Sequence, residues 1–318
     1  MRGVVLDTDS LCPRDLDLSA LRNSLPHWQF HGFTEPSQTA ARIRGADVVV
    51  TNKVVLDAGL IADADKLKLI CVAATGTNNI DLAAAAQRGI PVCNARGYAT
   101  ASVAEHVFGL LLTLTRQLDD HRARVQRGEW SASRFFCVFG QPIGELAGRT
   151  LGIVGFGELG HAVARLAEAF SMKVLIAQRP GGDSRPGRIP LREMLAQVDV
   201  LSLHCPLSEA TRGLIGEQEL RQMKRGAILI NTARGGIVDE AALLRVLREG
   251  HLGGAALDVL EAEPPSARHP LTDAGLPNLI LTPHIAWASQ PARQRLIDEV
   301  AANIRAFVEG RPRNRVAG

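Results

Sequence analysis

Short apolar runs alternate with amphipathic, helix-length segments along most of the chain. Residues 3–7, 28–30, 47–51, 67–72 and 90–93 read as strands, and 16–25, 38–44, 56–61 and a segment ending at Arg88 have helical spacing. Nearly continuous apolar strands separated by helices predict a parallel sheet covered on both faces. The alternation resumes with strands at 151–154, 173–177, 200–203, 227–230, 254–257 and 279–281. Helices are expected between them, for example 161–170 and 240–248, the latter opened by Asp239 as N-cap and closed by Gly250. Between the two series lie a long apolar helix at 100–118, a charged one at 121–128 and a loop-like stretch at 130–146. A last helix, 289–309, sets Leu296, Val300, Ile304 and Phe307 on one face.

The pattern predicts an α/β chain of two doubly wound parallel-sheet domains. The first is a smaller flavodoxin-like domain without a dinucleotide fingerprint, and the second a six-stranded Rossmann dinucleotide-binding domain. The last helix is expected to return to the first domain. That domain is then discontinuous, 1–98 with 287–318, around a second domain at 99–286. A glycine- and proline-containing turn is expected over 181–187.

Composition narrows the function classes. A length of 318 residues suits two domains. A net charge of +3 is too small to argue for nucleic acid or an anionic membrane. No apolar run is long enough to span a bilayer, and the N-terminus, with Asp7 and Asp9, has no secretory h-region. The five cysteines are odd in number and never spaced C-x-x-C, which predicts reduced thiols in a cytoplasmic protein. No Cys/His cluster has ligand spacing, so no metal is expected. In a chain only 4% aromatic, Trp130, Phe135, Phe136 and Phe139 gather in one loop. They suggest a subunit contact, against the plainer alternative of a small core beneath the loop.

The first candidate chemistry is Gly155-Phe156-Gly157-Glu158-Leu159-Gly160, a G-x-G-x-x-G between a strand and a helix. Gly155 allows the tight turn, Gly157 the approach of a pyrophosphate, and Gly160 close helix–strand packing. Amide N–H groups at the helix start would hold the anion. The residue after the second strand, where an acid would accept from the ribose hydroxyls of NAD, is Gln178, followed by Arg179, with Arg185 and Arg188 nearby. With no carboxylate there to repel a 2′-phosphate, NADP(H) is favoured and NAD(H) remains possible. The alternative is that Arg179 stacks on adenine while NAD still binds.

Four polar residues follow later strands: Arg234, Asp258, Glu263 and His284. Ligands of open α/β sheets bind beyond the carboxyl ends of strands, so these can converge. An arginine fork can hold a carboxylate. A histidine can protonate a keto oxygen as hydride reaches carbon. A carboxylate on the imidazole fixes its tautomer. The set suits reduction of a 2-keto acid. Singly, Arg234 also fits a surface pair, His284 a loop histidine and Glu263 a solvated acid.

The motifs Gly152-Ile153-Val154-Gly155-Phe156-Gly157, His204-Cys205-Pro206-Leu207, Asn231 to Gly236, Asp258 to Pro264 and Thr282-Pro283-His284-Ile285 carry a resemblance over almost the full length. The chain resembles the D-isomer-specific 2-hydroxyacid dehydrogenases. Residues 74–79, Arg96-Gly97-Tyr98 and 284–289 look most like glycerate dehydrogenases, also called hydroxypyruvate reductases. The resemblance implies His284 as acid/base, Glu263 as its partner and Arg234 on the substrate. It implies further cofactor contacts from Cys205, Pro206, Thr211, Thr232, Ala233 and Asp258. It puts the substrate carboxylate on amides around Thr75 and Gly76, with Asn52 and Lys53 facing the same cleft. It also implies a homodimer, its arm at about 100–148. The corepressors of the same family keep a similar triad, so a dinucleotide sensor is an alternative. Formate and phosphite dehydrogenases share the fold; the former replace the Glu with Gln, and here it is Glu263.

Overall fold

The computed structural model describes residues 1–179, 182, 185–311 and 313–317. The chain splits into two compact units, Met1–Ala99 with Trp287–Gly318, and Thr100–Ala286. Unit 1 opens with β1 (Arg2–Val5), α1 (Ser19–Arg22), β2 (His27–Phe30), α2 (Pro36–Ile43), β3 (Val48–Thr51), α3 (Ala58–Asp63), β4 (Leu69–Val72), α4 (Leu82–Gln87) and β5 (Val92–Cys93). Unit 2 runs α5 (Thr100–Arg116), α6 (Leu118–Gln126), β6 (Thr150–Val154), α7 (Glu158–Ala169), β7 (Lys173–Ile176), α8 (Leu191–Leu195), β8 (Val200–Leu203), α9 (Glu217–Gln222), β9 (Ile228–Asn231), α10 (Glu240–Arg248), β10 (Gly254–Leu257) and β11 (Leu279–Leu281). The chain returns to unit 1 as α11 (Gln290–Val308) and β12 (Arg315–Ala317).

The sheet of unit 1 has the order β12-β5-β4-β3-β1-β2. Its strands pair in parallel except β12, which is antiparallel to β5. The sheet of unit 2 is β11-β10-β9-β8-β6-β7, parallel throughout. In each, the first strand sits inside the sheet and the winding reverses beside it. The switch point lies between β1 and β3 in unit 1, and between β6 and β8 in unit 2.

Both sheets are apolar on both faces because helices cover both. Along β3, Val48 and Val50 join Leu296, Val300 and Ile304 of α11, while Val49 joins Leu56 and Ile61 on the opposite face. Full burial of each such aliphatic side chain stabilises the fold by roughly 1.5–3 kcal/mol. In unit 2, Leu151 and Ile153 pack with Val107 and Leu111 of α5 and Val163 of α7. Leu201 and Leu203 face Met194, Leu220 and Leu243.

Several local expectations change. Only Ser19–Arg22 of the predicted 16–25 helix is α-helical, and 3-10 turns at Thr8–Leu11 and Pro13–Asp15 precede it. Buried Arg293 of α11 donates to Leu11 O, Cys12 O and the Asp15 carboxylate and holds the turns, while Gln294 accepts from Asp17 N at 2.8 Å and donates to Asp17 O at 3.0 Å, which takes both backbone groups of Asp17 away from a helix. β12 was not anticipated, because three residues beginning with an exposed arginine make no apolar run. Gln117, at φ 53°, breaks α5 from α6, so α6 starts at Leu118 rather than His121. Asp239 does cap α10, accepting from Ala242 N. The turn expected over 181–187 lies in part outside the described residues.

Trp130, Phe135, Phe136 and Phe139 are 54%, 76%, 91% and 87% exposed, so they form no satellite core. Cys71, Cys93 and Cys205 are buried, Cys137 half-buried and Cys12 exposed, and these five thiols are unpaired. Among the described residues no helix is long and apolar enough to cross a membrane.

Candidate active site

The fingerprint sits where β6 gives way to α7. Gly155 has φ +94°, and a Cβ there would lie 2.5 Å from Cys205 N, so only glycine lets this turn press on the chain after β8. A Cβ on Gly160 would lie 2.4 Å from Gly155 O. Gly157 differs, since a Cβ there would meet nothing within 4 Å. α7 starts on Gly157 without a side-chain cap. Its first-turn N–H groups and dipole suit a pyrophosphate. The Phe156 and His161 rings are 3.8 Å apart, and His161 Nδ1 is 2.7 Å from Gly157 O. Glu158 accepts from the Thr100 hydroxyl, and Leu159 is half-buried.

The next strand ends shape the same edge. His204 is half-buried, with Nε2 2.8 Å from Ser202 Oγ, and desolvation of its ring pushes its pKa down to about 4. Burial pushes the Cys205 thiol up to about 11. Both are therefore neutral at neutral pH, and neither offers a charge to a ligand. Thr211 donates to Pro206 O at 2.7 Å and accepts from Ser208 N at 2.8 Å, closing the turn. Thr232, after β9, is buried with Oγ1 lacking a protein partner. A buried hydroxyl without a partner is costly. At this edge it fits the hydrogen-bonding face of a bound nicotinamide dinucleotide.

The acid/base candidates come together directly. His284 Nδ1 is 2.6 Å from Glu263 Oε2, and Glu263 Oε1 accepts from Leu260 N at 3.0 Å. A carboxylate only accepts, so Nδ1 carries the proton and Nε2 lies on the far side of the ring from Glu263. The two side chains are 30% and 35% exposed, open enough to reach a ligand. His284 has φ +51°, uncommon for a residue with a Cβ. Its conformation is held by His284 N–H donating to Asp258 O at 2.8 Å.

Asp258 is 1% exposed. Its carboxylate accepts from Thr282 Oγ1 at 2.6 Å, Ile285 N at 2.9 Å and Ala286 N at 2.8 Å. Its main visible task is to hold the loop bearing His284, a task the sequence did not suggest.

Arg234 lies on the turn after β9. Asn231 closes that turn by accepting from Ala233 N at 3.0 Å and donating to Arg234 O at 2.9 Å. A Cβ on Gly235 would lie 1.8 Å from Leu260 O, so the Arg234 turn rests on the Glu263 loop backbone to backbone. The guanidinium is half-buried and donates to Ala233 O at 2.7 Å. Gln178 N donates to Ile189 O at 2.8 Å, and Arg179 is exposed.

In unit 1 the substrate candidates occupy the carboxyl edge of their own sheet. Asn52 and Lys53 follow β3, and Thr75 and Gly76 follow β4. Buried Asp7 accepts from Asn52 N at 2.9 Å, Lys53 N at 2.6 Å and Val54 N at 3.3 Å. Asn52 Oδ1 is buried without a protein partner. Thr75 is tied down twice, its hydroxyl to Ala95 O at 2.9 Å and its carbonyl to Asn94 Nδ2 at 2.7 Å. The sequence reading gave Asp7 no role; its one signal was an acid at the carboxyl end of an apolar strand.

Residues 108–286 match the model of the family "D-isomer specific 2-hydroxyacid dehydrogenase, NAD binding domain". The chain is 46% identical to the glycerate dehydrogenase of Methylorubrum extorquens, over 98% of this chain and 97% of the relative. It is 36% identical to the hydroxypyruvate reductase of Blautia hydrogenotrophica, over 99% of each. Among solved structures, an acyclic imino acid reductase in complex with NADPH and D-Arg aligns with a TM-score of 0.86 at 28% identity, covering 99% of this chain and 100% of that one. With a matching fingerprint, an uncapped helix start and a paired His–Glu on one sheet edge, the chain belongs to the D-isomer specific 2-hydroxyacid dehydrogenase family.

Proposed function

We propose that this enzyme reduces hydroxypyruvate or glyoxylate to the D-2-hydroxy acid, with NADP(H) favoured over NAD(H). The reaction class, a nicotinamide-dependent reduction of small 2-keto acids, follows from the family and from relatives that are glycerate dehydrogenases and hydroxypyruvate reductases. The observation that carries the residue assignment is the 2.6 Å contact between His284 and Glu263.

Arg234 holds the substrate carboxylate in a bidentate grip and polarises the keto group. Asn52, Lys53 and the amides at Thr75 and Gly76 add substrate contacts, Lys53 contributing positive charge. His284 Nε2–H gives its proton to the keto oxygen as carbon is reduced. Glu263 keeps the proton on Nδ1 and offsets the charge of the imidazolium form. A bound dinucleotide would supply the hydride. Residues 155–160 would hold its pyrophosphate, and Cys205, Pro206, Thr211, Thr232, Ala233 and Asp258 its nicotinamide half. Gln178 and Arg179 leave room for a 2′-phosphate where an acid would repel it.

The exposed rings of Trp130, Phe135, Phe136 and Phe139 support a homodimer, in which the arm at about 100–148 would bury them. Sedimentation should give twice the chain mass, and replacing Phe136 and Phe139 by Ser should give the monomer.

The deciding assay follows absorbance at 340 nm with NADPH and NADH in turn, against hydroxypyruvate, glyoxylate and pyruvate. Fast NADPH oxidation with either of the first two is expected. Fast turnover with NADH alone would remove the cofactor preference. Tight dinucleotide binding without turnover would favour a sensor.

A further inference from the structure

We propose that His106 of α5 is a positioning residue for the reaction, acting on His284 through Thr282 and Asp258. The inference rests on the reading of His284 as the acid/base. Thr282 Oγ1 lies 2.6 Å from Asp258 Oδ1 and 3.0 Å from His106 Nε2. A hydroxyl has one proton to give. Asp258 also accepts from Ile285 N and Ala286 N, the pattern of an ionised carboxylate, so the hydroxyl proton goes to Asp258. Nε2 of His106 must then be the donor to Thr282. The same N–H lies 3.6 Å from Asp258 Oδ1 itself.

One helical turn earlier, Ser102 Oγ donates to Ala286 O at 2.7 Å. Residues four apart on a helix share a face. Two side chains of α5 therefore grip residues 282 and 286, the two ends of the loop, with His284 at its centre in a left-handed conformation. α5 is otherwise a strongly apolar helix whose buried residues include Val103, Val107, Phe108 and Leu111. Packing alone would favour an aliphatic residue over a half-buried imidazole on this helix. Hydrogen bonding to the catalytic loop accounts for the imidazole.

The test replaces His106 by Leu, which keeps bulk and loses the donor, and by Gln, whose amide N–H reaches in the same direction. Thr282→Val removes the middle link without changing shape. His106→Leu is expected to lower kcat about tenfold to a hundredfold, the scale of a small displacement of a reacting group. KM for the keto acid and NADPH affinity should stay within about threefold. His106→Gln should recover most of kcat. The double variant H106L/T282V should be no slower than T282V, because both cut one chain. Multiplying losses, or H106Q no better than H106L at equal melting temperature, would overturn the proposal. If the wild type reduces no 2-keto acid, the catalytic reading fails while the relay remains open to NMR. The His284 ring signals should then move in H106L and much less in H106Q, and unmoved signals in H106L would sink the relay.

Discussion

In unit 1 the switch point between β1 and β3 is filled by the protein itself. Asp7, just past β1, takes the N–H groups of Asn52, Lys53 and Val54 past β3. In unit 2 the equivalent place, between β6 and β8, has Gly155 pressed on Cys205 N and no side chain at all. The strand order around the two points is the same. One carboxylate against one glycine decides what each edge is for. A carboxylate neutralises the local amides and makes a firm platform for the next loop. Glycine leaves the helix start bare and suited to a phosphate.

The largest effect should come from the chemistry on the open edge. His284→Ala should lower kcat for keto-acid reduction about 10³-fold, with dinucleotide affinity by fluorescence titration nearly unchanged.

Acid should strike unit 2 through His204. Its ring takes a proton near the ordinary 6.5 when unfolded and only near 4 when folded. Unfolding therefore binds a proton between these values. Stability present above pH 6.5 should be lost as pH falls toward 4. The loss is on the order of 3 kcal/mol at 1.4 kcal/mol per pH unit. Urea titrations across this range should show it, and His204→Leu should flatten it.

Asp7→Ala tests the filled edge. Three N–H groups, that of Asn52 buried and those of Lys53 and Val54 part-buried, lose their acceptor, so unit 1 should lose about 2–3 kcal/mol in urea unfolding. KM for the keto acid should rise more than KM for the dinucleotide; equal effects on both would blur the distinction drawn between the two edges. Gly157→Ala is the converse. Stability should stay within about 0.5 kcal/mol, because the new methyl meets open space, while cofactor Kd rises about tenfold, near 1.4 kcal/mol. The smallest expected change is Gln178→Asp, which should lower the NADPH/NADH ratio of kcat/KM several-fold; an unmoved ratio would remove Gln178 from cofactor choice.

Much of this was legible early for a physical reason. Strands buried on both faces are written as unbroken apolar runs, and β3 and β4 fall within two residues of their predicted ends. Turns that need glycine, such as 155–160, are equally readable, since the backbone conformation itself demands the residue. The segment around α1 is less helical than its own pattern predicts because Gln294, nearly the whole chain away, takes both backbone groups of Asp17. β12 gave no signal because an edge strand gains its hydrogen bonds from a neighbour rather than from its own pattern.

Of the site, the residue types and their places at strand ends followed from the sequence and its resemblance to a known family. Local periodicity, glycine geometry and motif chemistry are properties of neighbouring residues, and these determined the α/β class, the fingerprint and the candidates His284, Glu263 and Arg234. Only the tertiary structure decided which polar groups meet: Asp7 with the loop after β3, Glu263 with His284, and His106 with Thr282 and Asp258. Such pairs join residues 21 to 176 positions apart. Their energies depend on distances of a few tenths of an ångström, which a one-dimensional pattern does not contain.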